Sequence, residues 1–181
     1  MNGPSDLDLL VASHTTDDDA TSLGVARSTL RAGRPMWPRS EFDPGHFTAS
    51  GFVASPDGTS VLLVEHGRLG KWLQPGGHIE ADDATLEAAA RREVAEETGV
   101  VDLVRVGSGI LRISAHQIPP RADEPAHVHI DLGIGFRAST DEIGPIAEVL
   151  DARWVRFEDL EGWDTDDGAR GGAQKLQRLL D

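Results

Sequence analysis

The stretch Arg92-Glu93-Val94-Ala95-Glu96-Glu97-Thr98-Gly99-Val100 constrains this chain more than any other. On a helix, positions 93, 96 and 97 are neighbours, so three carboxylates share one face. Like charges held that close repel, and a multivalent cation relieves the repulsion. Oxygen ligands of this hardness suit Mg²⁺ or Mn²⁺. A solvated acidic surface is the plain alternative for such a stretch taken alone. Local signals favour the helix itself. Residues 84 to 98 contain neither Gly nor Pro, Asp83 stands at the N-cap position, and Gly99 is placed to end the helix. Leu86, Ala90 and Val94 form an apolar stripe on a different face from the acids.

Upstream, Trp72-Leu73-Gln74-Pro75-Gly76-Gly77-His78-Ile79-Glu80 is a glycine-rich loop of the kind that lets backbone amides approach a phosphate. Together, the Gly-Gly pair, the spacer and Arg-Glu-Val-Ala-Glu-Glu-Thr-Gly-Val resemble the Nudix box, G-x5-E-x7-R-E-U-x-E-E-x-G-U with U aliphatic. The second half matches at every specified position. Counting back from Arg92 puts Ala84 where the pattern has its first Glu and His78 where it has its first Gly. The loop is therefore one residue longer than the pattern, and Asp83 or Asp82 is left to stand in for the missing Glu.

The resemblance extends over roughly residues 46 to 160. It implies an α/β fold, a Nudix-like α/β/α sandwich around a mixed sheet, with the box as loop-helix-loop. Residues 1–45 would form an N-terminal helical extension and connector, and residues 46–181 the hydrolase domain. The implied chemistry is metal-dependent hydrolysis of a pyrophosphate bond in a small nucleoside diphosphate-linked or other diphosphate compound. Glu93, Glu96 and Glu97 match the ligands of Mg²⁺ or Mn²⁺, and Glu96 or Glu97 also serves to orient or deprotonate water. Arg92 is expected to clamp a carboxylate and Asp83 to support the site. Gly76, Gly77 and His78 would border the substrate phosphates. The family's general base comes from a loop late in the sheet, here Glu142 or Glu148 with Glu124 a third candidate, although each also reads as a surface acid. Trp72 and Trp37 are candidates to stack on a base or to pack in the core. A same-fold binding or sensor module is the alternative function, against which the three intact box carboxylates argue.

Length and charge narrow the field. At 181 residues the chain suits one well-buried domain plus an extension. A formal charge of −14 disfavours nucleic acid as a partner. Lys71 and Lys175 are the only lysines, and scattered arginines suit a grip on one small phosphate-bearing ligand. Cysteine is absent, which excludes disulfides and thiolate ligands and argues against the family's cysteine-dependent isopentenyl diphosphate isomerase branch. Tyrosine is absent too, and members that grip diadenosine polyphosphates tend to use one. No run approaches the ~18 apolar residues of a membrane span, and Met1 to Asp6 lack the pattern of a signal peptide. The expectation is a cytoplasmic monomer or homodimer with no membrane partner.

Along the chain, residues 17 to 32 read as a helix with an acidic first turn, and Pro35 to Pro44 as an irregular connector. His46 to Ala54 and Ser60 to Glu65 read as a hairpin around Ser55-Pro56-Asp57-Gly58. Val101 to Val106 and Ile110 to His116 read as strands. Residues 126 to 136 alternate, with Val128, Ile130, Leu132, Ile134 and Phe136 on the face turned to the core. His127, His129, Asp131, Gly133 and Gly135 lie on the other. His127 and His129 are candidates to bind substrate phosphates or ribose. Their strand face also reads as solvated surface, or with His116, His78 and Asp131 as a metal site. A loop over 138 to 149, a short strand Ala152 to Val155 and an amphipathic helix Ala173 to Leu180 complete the chain.

Overall fold

The computed structural model describes residues 3–15, 20–121, 124–146 and 148–181. Two long strands form its spine. β1 (Gly45–Ala54) and β7 (His127–Ala138) run parallel with ten residue pairs, from Gly45 opposite Val128 to Ala54 opposite Arg137. The far edge of β7 carries β5 (Leu103–Val106) and β6 (Arg112–Ile118), both antiparallel to it. On the other side, β4 (Gly76–His78) pairs antiparallel with residues 48–50 of β1, while β2 (Ser60–His66) meets β1 only at its end, Ala54 opposite Val61. β3 (Lys71–Leu73) and β8 (Ala152–Arg156) extend the sheet from β2.

The expected hairpin is present and short. Asp57 closes its turn by accepting from Ser55 Oγ and from the amide and hydroxyl of Thr59, and Gly58 takes φ 75°. Beyond the turn the strands part, because β1 goes on to pair with β4.

Strand alternation divides the interior in two. Phe47, Ala49 and Val53 of β1 and Ile130, Leu132, Ile134 and Phe136 of β7 pack under α1 (Leu7–Ser13), α2 (Ala20–Leu30) and α3 (Leu86–Thr98). Phe52 and Ala54 belong to the second cluster, with Val61 and Leu63 of β2, Val155 of β8, and Ala173 and Leu176 of α4 (Asp167–Leu180). β7 was expected to bury one face. It buries both, because α4 covers the second: Phe52 fills the space over Gly133, and Leu176 that over Gly135.

Several boundaries move for physical reasons. α3 begins at Leu86, not at 84, and its cap is Thr85, whose hydroxyl accepts from the Ala88 amide at 3.1 Å. α4 starts six residues before the expected Ala173, capped by Asp166, whose Oδ1 accepts from Ala169 N at 2.7 Å. Glycines disguise that start, and a Cβ on Gly172 would lie 2.1 Å from the Phe52 ring. α2 answers the helix expected over 17–32, whose residues 17–19 lie outside the described ones. α1 was not anticipated. It packs Leu7 and Val11 into the first cluster. Among the described residues no helix is long and apolar enough to cross a membrane.

Candidate active site

α3 lies against β1, with Val94 filling the space over Gly51, and this contact fixes which way the box carboxylates point. Its C-terminus closes on Gly99 at φ 69°, whose amide donates to Ala95 O. β4 runs beside it. The Gly76 amide donates to Glu97 Oε2 at 3.0 Å, and a Cβ on Gly77 would stand 2.7 Å from Glu93 Oε2. Glycine at 77 is therefore a requirement of close approach, since the Glu93 carboxylate occupies the space a side chain would need.

Arg92 organises the base of the site. Its guanidinium donates from Nε to Asp83 Oδ1 at 3.2 Å and from Nη2 to Asp83 Oδ2 at 2.8 Å. It also reaches Glu93 Oε1 at 2.8 Å, Glu96 Oε2 at 3.1 Å and the His78 carbonyl at 2.8 Å. Asp83 further accepts from the Glu80 amide at 2.8 Å. The N-cap role expected of Asp83 is thus corrected: it tethers the lengthened loop to Arg92, and Thr85 caps the helix. The segment ahead of α1 braces the same turn, with Asp6 Oδ1 accepting from Leu86 N at 2.9 Å and the Ser5 amide donating to Ala84 O at 3.1 Å.

Electrostatics mark the centre of the site. Burial pushes the Glu93 carboxyl up to about 7 against the pull of Arg92, and Glu96 and Glu148 push the same way. Burial also raises Glu97 to about 7, opposed by its Gly76 hydrogen bond and reinforced by Glu93, Glu148 and Glu96. Arg92, the one cation in contact among the described residues, is held above its ordinary value by Asp83 first and then by Glu93. Its charge is shared among three carboxylates, which leaves the pocket acid-rich. The donor set is oxygen only and fits a hard divalent cation.

The late loop brings Glu148 to this centre. Gly144 packs against Gly99, and its amide donates to Thr98 O at 3.0 Å, while the Leu150 amide donates to Glu65 O at 3.0 Å. Between these anchors Glu148 adopts φ 69°, a left-handed conformation that non-glycine residues rarely take. Glu142 is exposed on the same loop. Glu124 pairs with Arg39 at 2.9 Å, beside the histidines and away from the box.

The remaining candidates divide. Trp72 packs edge-on against Trp163, ring centroids 4.7 Å apart, at the border of the second cluster, and Trp37 packs against the first. His78, His127, His129 and His116 gather on the sheet face opposite α3. They are joined by His46, which no local pattern marks, because only the pairing of β1 with β7 sets it opposite His129. Further along this face Asp131 accepts from Thr48, Ser50 and Gln74, and burial raises its carboxyl.

Comparison with known proteins agrees with this architecture. The NUDIX domain model matches residues 45–177. The chain is 28% identical over 159 residues to MutT4 of Mycobacterium tuberculosis, covering 85% of this chain and 62% of that protein, so it spans less than two thirds of that relative's length. Phosphatase NudJ of Escherichia coli is 56% identical over 41 residues, 22% of this chain and 26% of NudJ. A NUDIX-family hydrolase of Clostridium perfringens superimposes with a TM-score of 0.59 at 27% identity, over 75% of this chain and 98% of that one. With a glycine loop leading into an acid-faced helix, and the family's model matched over most of its length, the chain belongs to the NUDIX hydrolase family.

Proposed function

We propose that the protein hydrolyses the pyrophosphate bond of a small nucleoside diphosphate-linked or related diphosphate compound, with Mg²⁺ or Mn²⁺ held by Glu93, Glu96 and Glu97. The observation that carries this reading is the grouping of Glu93 and Glu97 with the exposed Glu148 acting on both, so that burial and mutual repulsion raise two carboxyls to about 7, while one arginine is shared among Asp83, Glu93 and Glu96. Such a pocket is short of positive charge. When bound, a divalent ion would polarise the phosphoryl oxygens and offset the charge that builds during phosphoryl transfer.

The chain's own residues then have separable tasks. Arg92 fixes Glu93 and Glu96 on the helix and ties the loop to them through Asp83 and the His78 carbonyl. Gly76 holds Glu97 by its amide, and Gly77 leaves room for Glu93 and for a phosphate beside the loop. Glu148 is the general base. It takes a proton from the attacking water as the water oxygen bonds to phosphorus and the bridging P–O bond breaks, and the leaving phosphate carries away that electron pair. Its anchored, left-handed backbone and its electrostatic push on both Glu93 and Glu97 favour it over Glu142, which raises neither, and over the Arg39-paired Glu124.

A panel of nucleoside triphosphates, ADP-ribose, NADH, nucleotide sugars and coenzyme A, incubated with and without Mg²⁺ and Mn²⁺, tests the assignment. Ion-dependent release of two phosphate-bearing products from at least one compound is expected. Binding without turnover across the panel would favour a sensor.

A further inference from the structure

The cluster of histidines on the far face of the sheet has a chemistry of its own. His46, His127 and His129 each present one ring nitrogen, and these three atoms lie within 4.8 Å of one another. His46 is fully buried and His127 is 3% exposed. The strands that carry them are the paired spine of the fold, and His127 and His129, two residues apart on β7, point to the same side. The ring centroid of His46 lies 4.7 Å from that of His129 and 5.2 Å from that of His127.

Hydrogen bonding fixes which nitrogens are bare. His46 Nδ1 lies 2.9 Å from the Glu41 carbonyl and His127 Nδ1 2.8 Å from the Pro125 carbonyl. A carbonyl only accepts, so in each ring Nδ1 carries the proton and the neutral ring's lone pair sits on Nε2. His46 Nε2 is buried without a hydrogen-bond partner. Leaving such an acceptor unpaired in the interior is costly, and a neighbouring neutral ring whose Nδ1 proton is already given to a carbonyl has no second N–H to offer it. Protonation is the other escape. Burial opposes it, holding His46 low and His129 at about 3, with the neighbouring imidazoles adding to the effect. Asp131 on the same face has both carboxyl oxygens engaged by Thr48, Ser50 and Gln74.

An imidazole whose second nitrogen donates to a backbone carbonyl is the arrangement by which proteins orient a histidine ligand toward a metal. We propose that His46, His127 and His129 form a binding site for Zn²⁺, separate from the box and on the opposite face of the sheet. Imidazole nitrogen suits zinc and does not suit Mg²⁺. Zn–N bonds of about 2.0–2.1 Å put tetrahedral ligands about 3.4 Å apart, so small ring rotations close the present spacing. His78 flanks the site, its ring centroid 5.2 Å from those of both His46 and His129. Its carbonyl accepts from Arg92, so an ion here would brace β4, the strand on which Glu93 and Glu97 lean. The site does not depend on the hydrolase reading.

The test is a calorimetric titration of the chelator-treated, dialysed full chain with Zn²⁺, with Co²⁺ as a visible probe. One tightly bound ion per chain is expected, together with a rise in Tm and the d–d absorption of a nitrogen-ligated Co²⁺ site. His46→Gln and His129→Gln should each weaken binding by at least about 100-fold, the upper end of what loss of an outer-shell partner costs. The Glu93→Gln/Glu97→Gln double variant should bind Zn²⁺ like the wild type. The proposal is overturned if the wild type takes up no Zn²⁺, if the double carboxylate variant abolishes uptake, or if a histidine variant with a native circular dichroism spectrum binds as tightly as the wild type. His129, partly exposed, decides the matter should His46→Gln fail to fold.

Discussion

Arg92 holds Asp83 through two hydrogen bonds, at 3.2 Å and 2.8 Å, and so closes a box loop one residue longer than its pattern. The Asp83 side chain is nearly buried and also accepts from the Glu80 amide, so removing it strands an arginine and a backbone donor together. Asp83→Ala should cost about 2–3 kcal/mol, the range for charge-assisted hydrogen bonds at a partly buried pair. Thr85→Ala, which removes only a helix cap, should cost about 1 kcal/mol. Urea denaturation of both variants measures the difference. Equal losses would contradict the division of labour between the two residues.

What could be read in advance was what the chain encodes locally. The acid-faced helix, its glycine stop and the alternation of β7 all follow from periodicity within one element. Which carboxylate Arg92 takes did not, because the spacing of Asp83 fits a cap as well as a clamp, and only the closed loop shows the arginine holding it. α4 was half hidden, since Gly168, Gly171 and Gly172 weaken the helical pattern ahead of Ala173. Gly172 admits the Phe52 ring, and a Cβ on Gly171 would meet the Arg112 guanidinium. α1 is short, and the carboxylate of its N-cap residue, Asp6, serves Leu86 instead. His46 carried no local signal at all, as its partners are reached through a parallel pairing distant in sequence.

Gly77→Ala should separate fold from metal binding. The added methyl meets the end of the Glu93 side chain, which can swing aside, so Tm should change little. The displaced carboxylate is a proposed ligand, and the Mg²⁺ concentration for half-maximal activity should rise several-fold. A full collapse of stability would show that β4 lacks the slack this argument gives it.

Glu148→Gln should lower kcat by about 10²–10⁴-fold, the usual contribution of a general base, with KM less affected. Glu142→Gln should leave kcat near that of the wild type. The reverse order would move the base to Glu142.

Glu97→Gln keeps the side-chain volume and removes a charge that the Gly76 amide and the proposed ion both use. Turnover should fall by at least ~10²-fold if the ion offsets transition-state charge. The fold should survive, which thermal unfolding followed by circular dichroism would confirm, and wild-type turnover would remove Glu97 from the site.

The raised carboxyls give metal-free protein a pH dependence of definite sign. Burial holds Glu93 and Glu97 at about 7 in the folded chain against 4.5 for an ordinary glutamate, so the folded state binds protons more tightly than the unfolded one. Their neutral forms therefore favour folding fully below about 4.5, and that contribution is lost as pH rises through about 7. With EDTA present, Tm should fall between about pH 5 and about pH 8, and saturating Mg²⁺ or Mn²⁺ should raise Tm more at the higher pH, where both carboxylates are ionised and free to bind. Glu93→Gln/Glu97→Gln should flatten the profile and abolish its response to the ion. Other groups titrate over the same range, so the comparison that decides is wild type against the double variant: superimposable profiles would show that the two glutamates are not the buried acids of this site.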